Sequence, residues 1–268
     1  MTSILTNSSA MTALQTLTQT NKNLATTQNR ISTGQRVSQA SDNAAYWSIA
    51  TGMRAQNQSL SAVQDTLGLG AAVVDVAYTG LNEAIDLTKQ VQAKYVAYAQ
   101  LGDTGTETPE GTQIKADIKA LTDQIGKIAG GAEFQGKNLL GGAPGATNDL
   151  TLVTSVDSKG AVDTTTIDSY DLAAEVATIT DSETAATALA AMSDAAAALG
   201  THKLSIESQQ RFTKSMTDAI DRGIGQLVDA DMNEESTRLQ ALQVQQQLGI
   251  QALSIANQSP QSILSLFR

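Results

Sequence analysis

The sequence contains no cysteine, a single histidine and few proline or aromatic residues. Its 268 residues include 3 prolines, 1 tryptophan, 5 tyrosines and 3 phenylalanines. The lack of cysteine excludes thiol nucleophiles, disulfides and thiolate metal sites. One histidine, His202, excludes a multi-histidine metal site and leaves Ser-His catalysis to a single residue. Because proline is scarce, long helices are permitted over nearly all of the chain.

Positive charge is also scarce. The 17 basic and 27 acidic residues give a formal net charge of −10, which argues against nucleic-acid binding because that requires a basic surface. There is no run of 18 consecutive apolar residues, so we expect no membrane insertion. The first 20 residues lack the basic start and apolar block of a cleaved secretory signal.

Charge nearly disappears at both ends of the chain. Residues 1–29 contain only Lys22, and residues 239–267 contain no charged residue, whereas residues 51–200 hold 8 basic and 19 acidic residues. A terminus is normally the most solvated part of a protein. Uncharged ends with regular leucine and isoleucine therefore predict surfaces that meet other protein.

Both ends have the 4-3 apolar spacing of a coiled-coil seam. In the N-terminal helix, which we expect to end at Gly34, the predicted seam is Ala10, Leu14, Leu17, Asn21, Leu24, Gln28 and Ile31. In the C-terminal helix it is Val228, Met232, Glu235, Leu239, Leu242, Gln246, Gly249, Leu253 and Ala256, with an interruption at Pro260.

The segments between these ends predict a mainly α fold with a small β region at mid-chain. The seam spacing runs from Ile49 to Tyr98 in a long helix, which Ser41 or Asp42 is expected to cap, and a second helix follows over 114–128. Turn residues at 134–142 predict the start of a hairpin, and 150–153 and 164–167 predict short strands. Helix resumes near Ser182. The expected fold is a long antiparallel helical bundle, a coiled-coil rod with this hairpin region.

Three short motifs carry weak signals for chemistry. Gly68-Leu69-Gly70 lacks the preceding strand of a dinucleotide-binding fingerprint, so we interpret it as a close helix–helix contact. Residues 229–240 resemble a calcium loop, but they lack its central glycine and final glutamate, so an acidic helix start is favoured. His202 has no Asp–Ser constellation. We therefore predict no catalytic residue, cofactor or metal.

The outer face of the terminal helices carries Gln, Thr, Ser and Asn instead of Lys and Glu. Such side chains tolerate a crowded protein interface without the cost of removing a charge from water, which is several kcal/mol per ion. In a chain of this size only other copies can cover such helices, and head-to-tail contact between copies gives rings or filaments. We expect the ends to be disordered in a monomer and to fold on assembly.

Three segments resemble the signatures of bacterial flagellins. Residues 30–37 (Arg-Ile-Ser-Thr-Gly-Gln-Arg-Val) and 40–45 resemble the N-terminal signature, 229–245 and 251–258 resemble the C-terminal signature, and 134–140 (Phe-Gln-Gly-Lys-Asn-Leu-Leu) resembles the hairpin entry. The resemblance implies a structural, non-enzymatic filament subunit. It also implies secretion through the flagellar type III export apparatus with a possible export chaperone, and contact with flagellar cap and junction proteins.

The resemblance further implies a domain plan. Residues 1–41 and 229–268 would form an inner coiled-coil domain, 42–142 and 183–228 an outer domain, and 143–182 a short β-like variable segment. Two positions depart from the family pattern. Gln90-Val91-Gln92-Ala93 stands where the vertebrate flagellin receptor usually reads Arg-x-Arg-Glu, and Asp42-Asn43 replaces Asp-Asp in the segment sensed by plants. We therefore expect weak or no recognition by innate immune receptors.

The predicted assembly residues comprise seam residues and polar residues around Gly34. They are Leu14, Leu17, Leu24, Arg30, Ile31, Gly34, Arg36, Asp42, Leu239, Leu242, Leu248, Leu253, Ile255 and Leu266. Two alternatives stay open on the residues alone: a hook–filament junction protein of the same superfamily, and a helical-bundle enzyme or small-molecule binder.

Overall fold

A computed structural model describes residues 7–101, 108–142, 148–156 and 160–266, with side chains described as far as residue 258. It contains six helices and one two-stranded sheet over those residues. In chain order they are α1 (Ser8–Thr33), α2 (Ala44–Gln100), α3 (Pro109–Gly131), β1 (Leu150–Val156), β2 (Val162–Ile167), α4 (Leu172–Ala177), α5 (Ser182–Val228) and α6 (Met232–Leu266). The predicted mainly α fold with a mid-chain β hairpin is confirmed.

The chain forms two compact units. The terminal unit consists of residues 1–55 and 220–268, and the central unit of residues 56–219. The division falls within α2 and α5, whereas the domain bounds predicted from the sequence lie at residues 41–42 and 228–229. That predicted domain plan stays a prediction.

The central unit has one apolar core. From Leu60 to Val91, the predicted seam of α2 is buried at nearly every position. It packs with side chains of the other central elements: Ile118, Ile125, Leu139, Leu140, Leu172, Val176, Met192, Leu199 and Ile206. The six-residue helix α4, which supplies two of these, was missed because so short a segment shows no helical periodicity.

One turn and one strand pair form the β region of the central unit. Phe134 and Lys137 exchange backbone hydrogen bonds of 2.9 and 3.0 Å around Gln135 and Gly136, whose φ angles are 53° and 76°. Positive φ at both positions suits a tight hairpin turn. The strands β1 and β2 then pair antiparallel from Leu150 opposite Ile167 to Val156 opposite Val162, with a bulge between Val153 and Ser155.

The motif at Gly68–Gly70 makes a different contact from the one predicted. Gly70 packs against Leu152 of β1, and a Cβ built on Gly70 would lie 2.8 Å from Leu152 Cδ1. A Cβ on Gly68 would meet nothing within 4 Å. The close contact is therefore between helix and strand, not between two helices, because the hairpin lies over this part of α2.

Among the described residues, α2 is also the one helix long and apolar enough to cross a membrane. An 18-residue window of it has a mean hydropathy of 1.3, and 39% of that window is buried inside the protein. The core helix of a protein without a membrane span passes the same test. We predicted no membrane insertion because the chain has no unbroken apolar run. The mean hydropathy of α2 passes the test without such a run, and we attribute it to the apolar seam that α2 contributes to the central core.

Two of three predicted helix ends differ in the structure. Asn43, not Ser41 or Asp42, caps α2, since its Oδ1 accepts from the Tyr46 N–H at 3.2 Å. Gly34 ends α1 as predicted, with φ 70°. Helix α6 continues past Pro260 to Leu266, because a proline removes one hydrogen bond without ending every helix.

Candidate functional site

The uncharged ends of the chain form a pair of helices within the terminal unit. Three polar contacts join α1 and α6: Asn7 to Ala256 at 2.8 Å, Asn21 to Gln246 at 2.8 Å, and Arg30 to Glu235 at 3.1 Å. Contacts at higher residue numbers in α1 involve partners at lower residue numbers in α6. The two helices therefore run antiparallel.

The seam of α1 is rotated from the predicted one. Buried or half-buried positions follow the series 10, 13, 17, 20, 24, 27 and 31, so that Ala13, Thr20 and Thr27 replace Leu14, Asn21 and Gln28. Both series contain Leu17, Leu24 and Ile31. The pattern of apolar residues favoured the face with Leu14, because the face that is buried contains threonines. On α6 the predicted seam is confirmed from Glu235 to Ala256, although Met232 is 44% exposed.

This seam buries little apolar surface. Leu242 is the only apolar side chain buried on the described parts of α1 and α6, and the other buried positions are Thr20, Thr27 and Glu235. Polar seam positions lower stability and favour one alignment of the helices. The pair is therefore weakly held by its own contacts.

A buried carboxylate lies at one end of the pair. Glu235 is 5% exposed, and its Oε1 lies 3.1 Å from Arg30 Nη1 and 3.6 Å from Arg238 Nη1. Removing either arginine would leave a buried charge with less compensation, which is strongly destabilising. Arg30, predicted to contact another copy, thus has a partner within its own chain.

The connector after α1 is tied to the chain that joins α5 and α6. Arg36 donates its backbone N–H to the Val228 carbonyl at 2.6 Å and its Nη2 to the Leu227 carbonyl at 3.1 Å. Ala230 N–H donates to the Gly34 carbonyl at 2.9 Å. These bonds secure the point where the two uncharged ends meet the rest of the terminal unit.

Asp42 organises the same connector. Its Oδ2 accepts from the backbone N–H groups of Gln39 at 3.1 Å and Ser38 at 3.0 Å, and from the Ser38 hydroxyl at 3.2 Å. These donors, Gln39 first, hold the pKa of the Asp42 carboxyl below its usual value. The residue stabilises a local turn of its own chain.

The pair has a second apolar face, on the side of α6 away from α1. Val244, Leu248 and Ile255 are 55%, 56% and 68% exposed. At about 100° per residue these three positions cluster roughly 150° around the helix from the seam. We call Val244, Leu248 and Ile255 the outward face of α6. A helix that is apolar on opposite faces is characteristic of burial on both sides.

Exposed apolar side chains concentrate in the terminal unit. Of the 15 large hydrophobic residues exposed in the described structure, 9 belong to it: Met11, Leu14, Tyr46, Ile49, Met232, Val244, Leu248, Ile250 and Ile255. Isolated exposed apolar residues need no explanation, but clusters of them mark interaction sites. This distribution makes the uncharged helix pair the candidate functional site.

The predicted assembly residues divide into three sets in the subunit. Leu17, Leu24, Ile31, Leu239, Leu242 and Leu253 lie in the seam between α1 and α6, whereas Leu14, Leu248 and Ile255 are exposed. Arg30, Gly34, Arg36 and Asp42 make contacts within the chain. The side chain of Leu266 lies outside the described residues.

Sequence reasoning missed Val244 and Asn7. The spacing of Val244 to Leu248 and Ile255, four and eleven residues on, could have revealed a second apolar stripe. Asn7 immediately precedes α1, where asparagine is favoured as a cap. The acidic helix start predicted at 229–235 is confirmed, since Asp231 Oδ1 accepts from the Asn233 N–H at 2.8 Å.

The central unit has a groove of about 820 Å³ beside α3, and several polar side chains that line it bind partners in the chain. The Lys115 ammonium lies 5.2 Å from the centre of the Tyr98 ring, and Lys119 pairs with Asp123 at 3.2 Å. The Tyr95 hydroxyl donates to a backbone carbonyl at 3.2 Å. A ligand site normally offers a few convergent polar groups, and this groove lacks that arrangement.

The chain is similar to known proteins over its whole length. The bacterial flagellin N-terminal helical region matches residues 4–144, and the bacterial flagellin C-terminal helical region matches residues 182–267. A flagellin from Brucella melitensis is 48% identical, with 100% of both chains covered. Flagellin C from Rhizobium meliloti is 40% identical, again with 100% of both chains covered. A crystal structure of Bacillus cereus flagellin covers 63% of this chain and 88% of that one, at 22% identity and a TM-score of 0.28.

Proposed function

Because the chain belongs to the bacterial flagellin family and is a structural subunit that self-polymerises into the extracellular flagellar filament, we propose that the outward face of α6 carries contacts between subunits. Flagellins are structural proteins and not enzymes. The full-length matches to flagellins do not favour a hook–filament junction protein or a ligand binder. The observation that carries the proposal is an uncharged apolar stripe on the side of α6 away from α1.

Burial of this stripe would supply free energy for assembly. Each leucine, isoleucine or valine moved fully out of water contributes about 1.5–3 kcal/mol. No charged side chain lies between Arg238 and Arg268, so packing against a copy would bury no unpaired charge along that length. The stripe thus combines apolar area with a low cost of removing polar groups from water.

We also propose that the two ends of the chain finish folding only when subunits assemble. The seam between α1 and α6 buries one apolar side chain and two threonines, while ordering each residue costs about 1–2 kcal/mol of conformational entropy. Packing on neighbouring copies adds the missing burial. The inner domain of residues 1–41 and 229–268 therefore orders as the filament grows, and the outer domain of 42–142 and 183–228, with its variable segment 143–182, is already folded.

The predicted assembly residues have three roles in this scheme. Those in the seam, with Arg30 and Gly34, shape the helix pair that is presented to neighbours. Leu14, Leu248 and Ile255 make direct contacts between subunits. Arg36 and Asp42 secure the connector at the base of the pair.

The further partners follow from membership of the family. We propose secretion through the flagellar type III export apparatus, aided by an export chaperone, and contact with the cap and junction proteins. Gln90 is exposed on α2, in the segment where the vertebrate flagellin receptor usually meets arginine. A neutral side chain there cannot form an ion pair, so weak or no immune recognition follows.

The test replaces one leucine of the outward face. Leu248→Ser should raise the critical concentration for seeded polymerisation about 10- to 100-fold, the equivalent of losing one buried leucine. Leu204→Ser is the matched control, because Leu204 is 64% exposed but lies on α5 beside the charged Lys203 and Glu207. Sedimentation of filaments, with electron microscopy of the pellets, measures both.

We expect the control to change the critical concentration less than about threefold, since an exposed leucine away from a contact contributes little. Both variants should keep the wild-type helix content as monomers. Normal polymerisation of Leu248→Ser would defeat the proposal. An equal loss in both variants would show that the effect is not specific to the outward face.

A further inference from the structure

Asn7 uses both ends of its side-chain amide. Its Oδ1 accepts from the Ala10 N–H at 3.0 Å, which caps the first turn of α1. Its Nδ2 donates to the backbone carbonyl of Ala256, in α6, at 2.8 Å. One side chain therefore caps one terminal helix and binds the backbone of the other.

The carbonyl that Asn7 binds is unusual within α6. In an α-helix the carbonyl of residue 256 accepts from the N–H of residue 260. Residue 260 is proline, which has no N–H, yet α6 extends to Leu266. The helix itself thus leaves the Ala256 carbonyl without its usual donor, and the Asn7 amide supplies one.

In the interior of α6, a proline leaves only one carbonyl without its helical donor. The three prolines of the chain are at 109, 144 and 260, and only the last lies within Met232–Leu266. A slip that moved Asn7 towards the start of α6 would leave it opposite a carbonyl already bonded within the helix. The contact therefore distinguishes the observed alignment from slips in that direction.

The apolar residues of the seam distinguish alignments poorly, so the alignment depends on the polar contacts of Asn7 with Ala256, Asn21 with Gln246 and Arg30 with Glu235. Leu17, Leu24 and Ile31 repeat every seven residues, and Leu239 and Leu253 are fourteen apart. Shifting one helix by seven residues would again place several apolar side chains against each other. A specific polar contact is the usual means of excluding such shifts.

We propose that Asn7 fixes the axial register of the terminal helix pair in the filament at the start of α1, by donating to the carbonyl that Pro260 leaves free, as Arg30 and Glu235 do at the other end. The proposal rests on the proposed function of the pair as an assembly interface. With the register fixed, the outward face of α6 has one position relative to α1, so every subunit presents the same surface. Asn7 is a positioning residue, since it acts through the alignment of other side chains.

The test separates the two roles of the amide. Asn7→Asp keeps the oxygen that caps α1 but loses the N–H donor, and aspartate caps helices about as well as asparagine. We expect its critical concentration for seeded polymerisation to rise roughly three- to tenfold, because a hydrogen bond to a half-buried carbonyl without a donor in its own helix is lost. Pro260→Ala restores an N–H within α6. In that background Asn7→Asp should change the critical concentration less than about twofold.

The double-mutant comparison decides between a specific pair and a general structural role. If Asn7→Asp had the same effect in both backgrounds, or none in either, the proposal would be overturned. Asn7→Ala should be impaired in both backgrounds, because the cap is lost in each. Wild-type protein is polymerised in the same experiment as the positive control. Its failure to form filaments would count against the proposed function itself.

A direct measurement covers the case in which Pro260→Ala does not assemble. In wild-type filaments labelled with ¹³C and ¹⁵N, solid-state NMR should give a through-space correlation between Asn7 Nδ2 and the Ala256 carbonyl carbon. Asn21 is the internal control. It contacts Gln246 through its Oδ1, so its Nδ2 should show no correlation with a carbonyl of α6. Filaments that lack the Asn7–Ala256 correlation would overturn the proposal.

Discussion

The terminal and central units bury their apolar residues in different ways. In the central unit, Leu67, Leu81, Leu140, Leu172 and Met192 are all fully buried within one core. On the described parts of α1 and α6 only Leu242 is a buried apolar residue, while Val244, Leu248 and Ile255 are more than half exposed. The same kinds of side chain thus complete a core in one unit and remain on the surface in the other.

Charge follows the same division. Residues 51–200 hold 19 acidic and 8 basic side chains, whereas residues 239–267 hold none. Charged surfaces keep a protein in solution, and uncharged apolar surfaces favour association. The central unit thus carries most of the charge, whereas the terminal helices carry exposed apolar side chains and little charge, which supports the proposed contacts with other copies of the chain.

The largest expected difference concerns one leucine in each unit. Leu81→Ala should lower the free energy of unfolding of the monomer by about 2–5 kcal/mol, because it leaves a cavity in the central core. Leu242→Ala should leave the monomer's unfolding nearly unchanged and raise the critical concentration for polymerisation. Thermal unfolding followed by circular dichroism, together with sedimentation of filaments, measures the pair.

Equal destabilisation of the monomer by both substitutions would break this comparison. It would mean that the terminal helices are already folded and stabilise the free subunit. Hydrogen exchange of the monomer gives an independent check, since we expect amides of α1 and α6 to exchange much faster than those of α2 near Leu81.

A smaller effect concerns the close contact of the hairpin with α2. Gly70→Ala should lower the free energy of unfolding by about 1–3 kcal/mol, because the new Cβ overlaps the buried Leu152. Gly68→Ala is the control on the same helix, where a Cβ meets nothing within 4 Å. It should stabilise the helix by about 0.5–1 kcal/mol. Chemical denaturation of both variants measures the difference, and stabilisation by Gly70→Ala would show that the hairpin does not hold this position.

The smallest effect is a pH dependence that compares two carboxyls. Backbone N–H donors lower the pKa of Asp42 in the terminal unit and of Asp181, hydrogen-bonded to Thr184, in the central unit. A lowered pKa in the folded state means that the stabilisation is present above the ordinary value of 3.8 and is lost as the pH falls through the lowered pKa.

NMR titration of the two side chains sharpens this comparison. We expect the pKa of Asp181 to be low in the monomer, and that of Asp42 to be closer to its ordinary value there than in the filament, because its connector is secured through the terminal helices. A pKa for Asp42 that is equally low in monomer and filament would show that its turn forms without them.

Much of the fold follows from local patterns in the sequence. The long seam of α2, the glycine that ends α1 and the threonine-rich strands are visible because helix and strand periods differ and glycine adopts positive φ. The seam of α1 was placed on the wrong face at Leu14, since a pattern of apolar residues does not anticipate buried threonines. The partner of Arg30 was likewise invisible, because an ion pair across helices leaves no local signal in the sequence.

The sequence by itself determined where charge is absent, that the first helix ends at Gly34, and that both ends of the chain carry apolar residues at helical spacing. Only the tertiary structure decided which side of α6 meets α1 and which faces outward. It also decided that Asn7 reaches the carbonyl four residues before Pro260. Periodicity fixes the faces of a helix, but the register between two helices 200 residues apart depends on side-chain contacts that form only when the chain is folded.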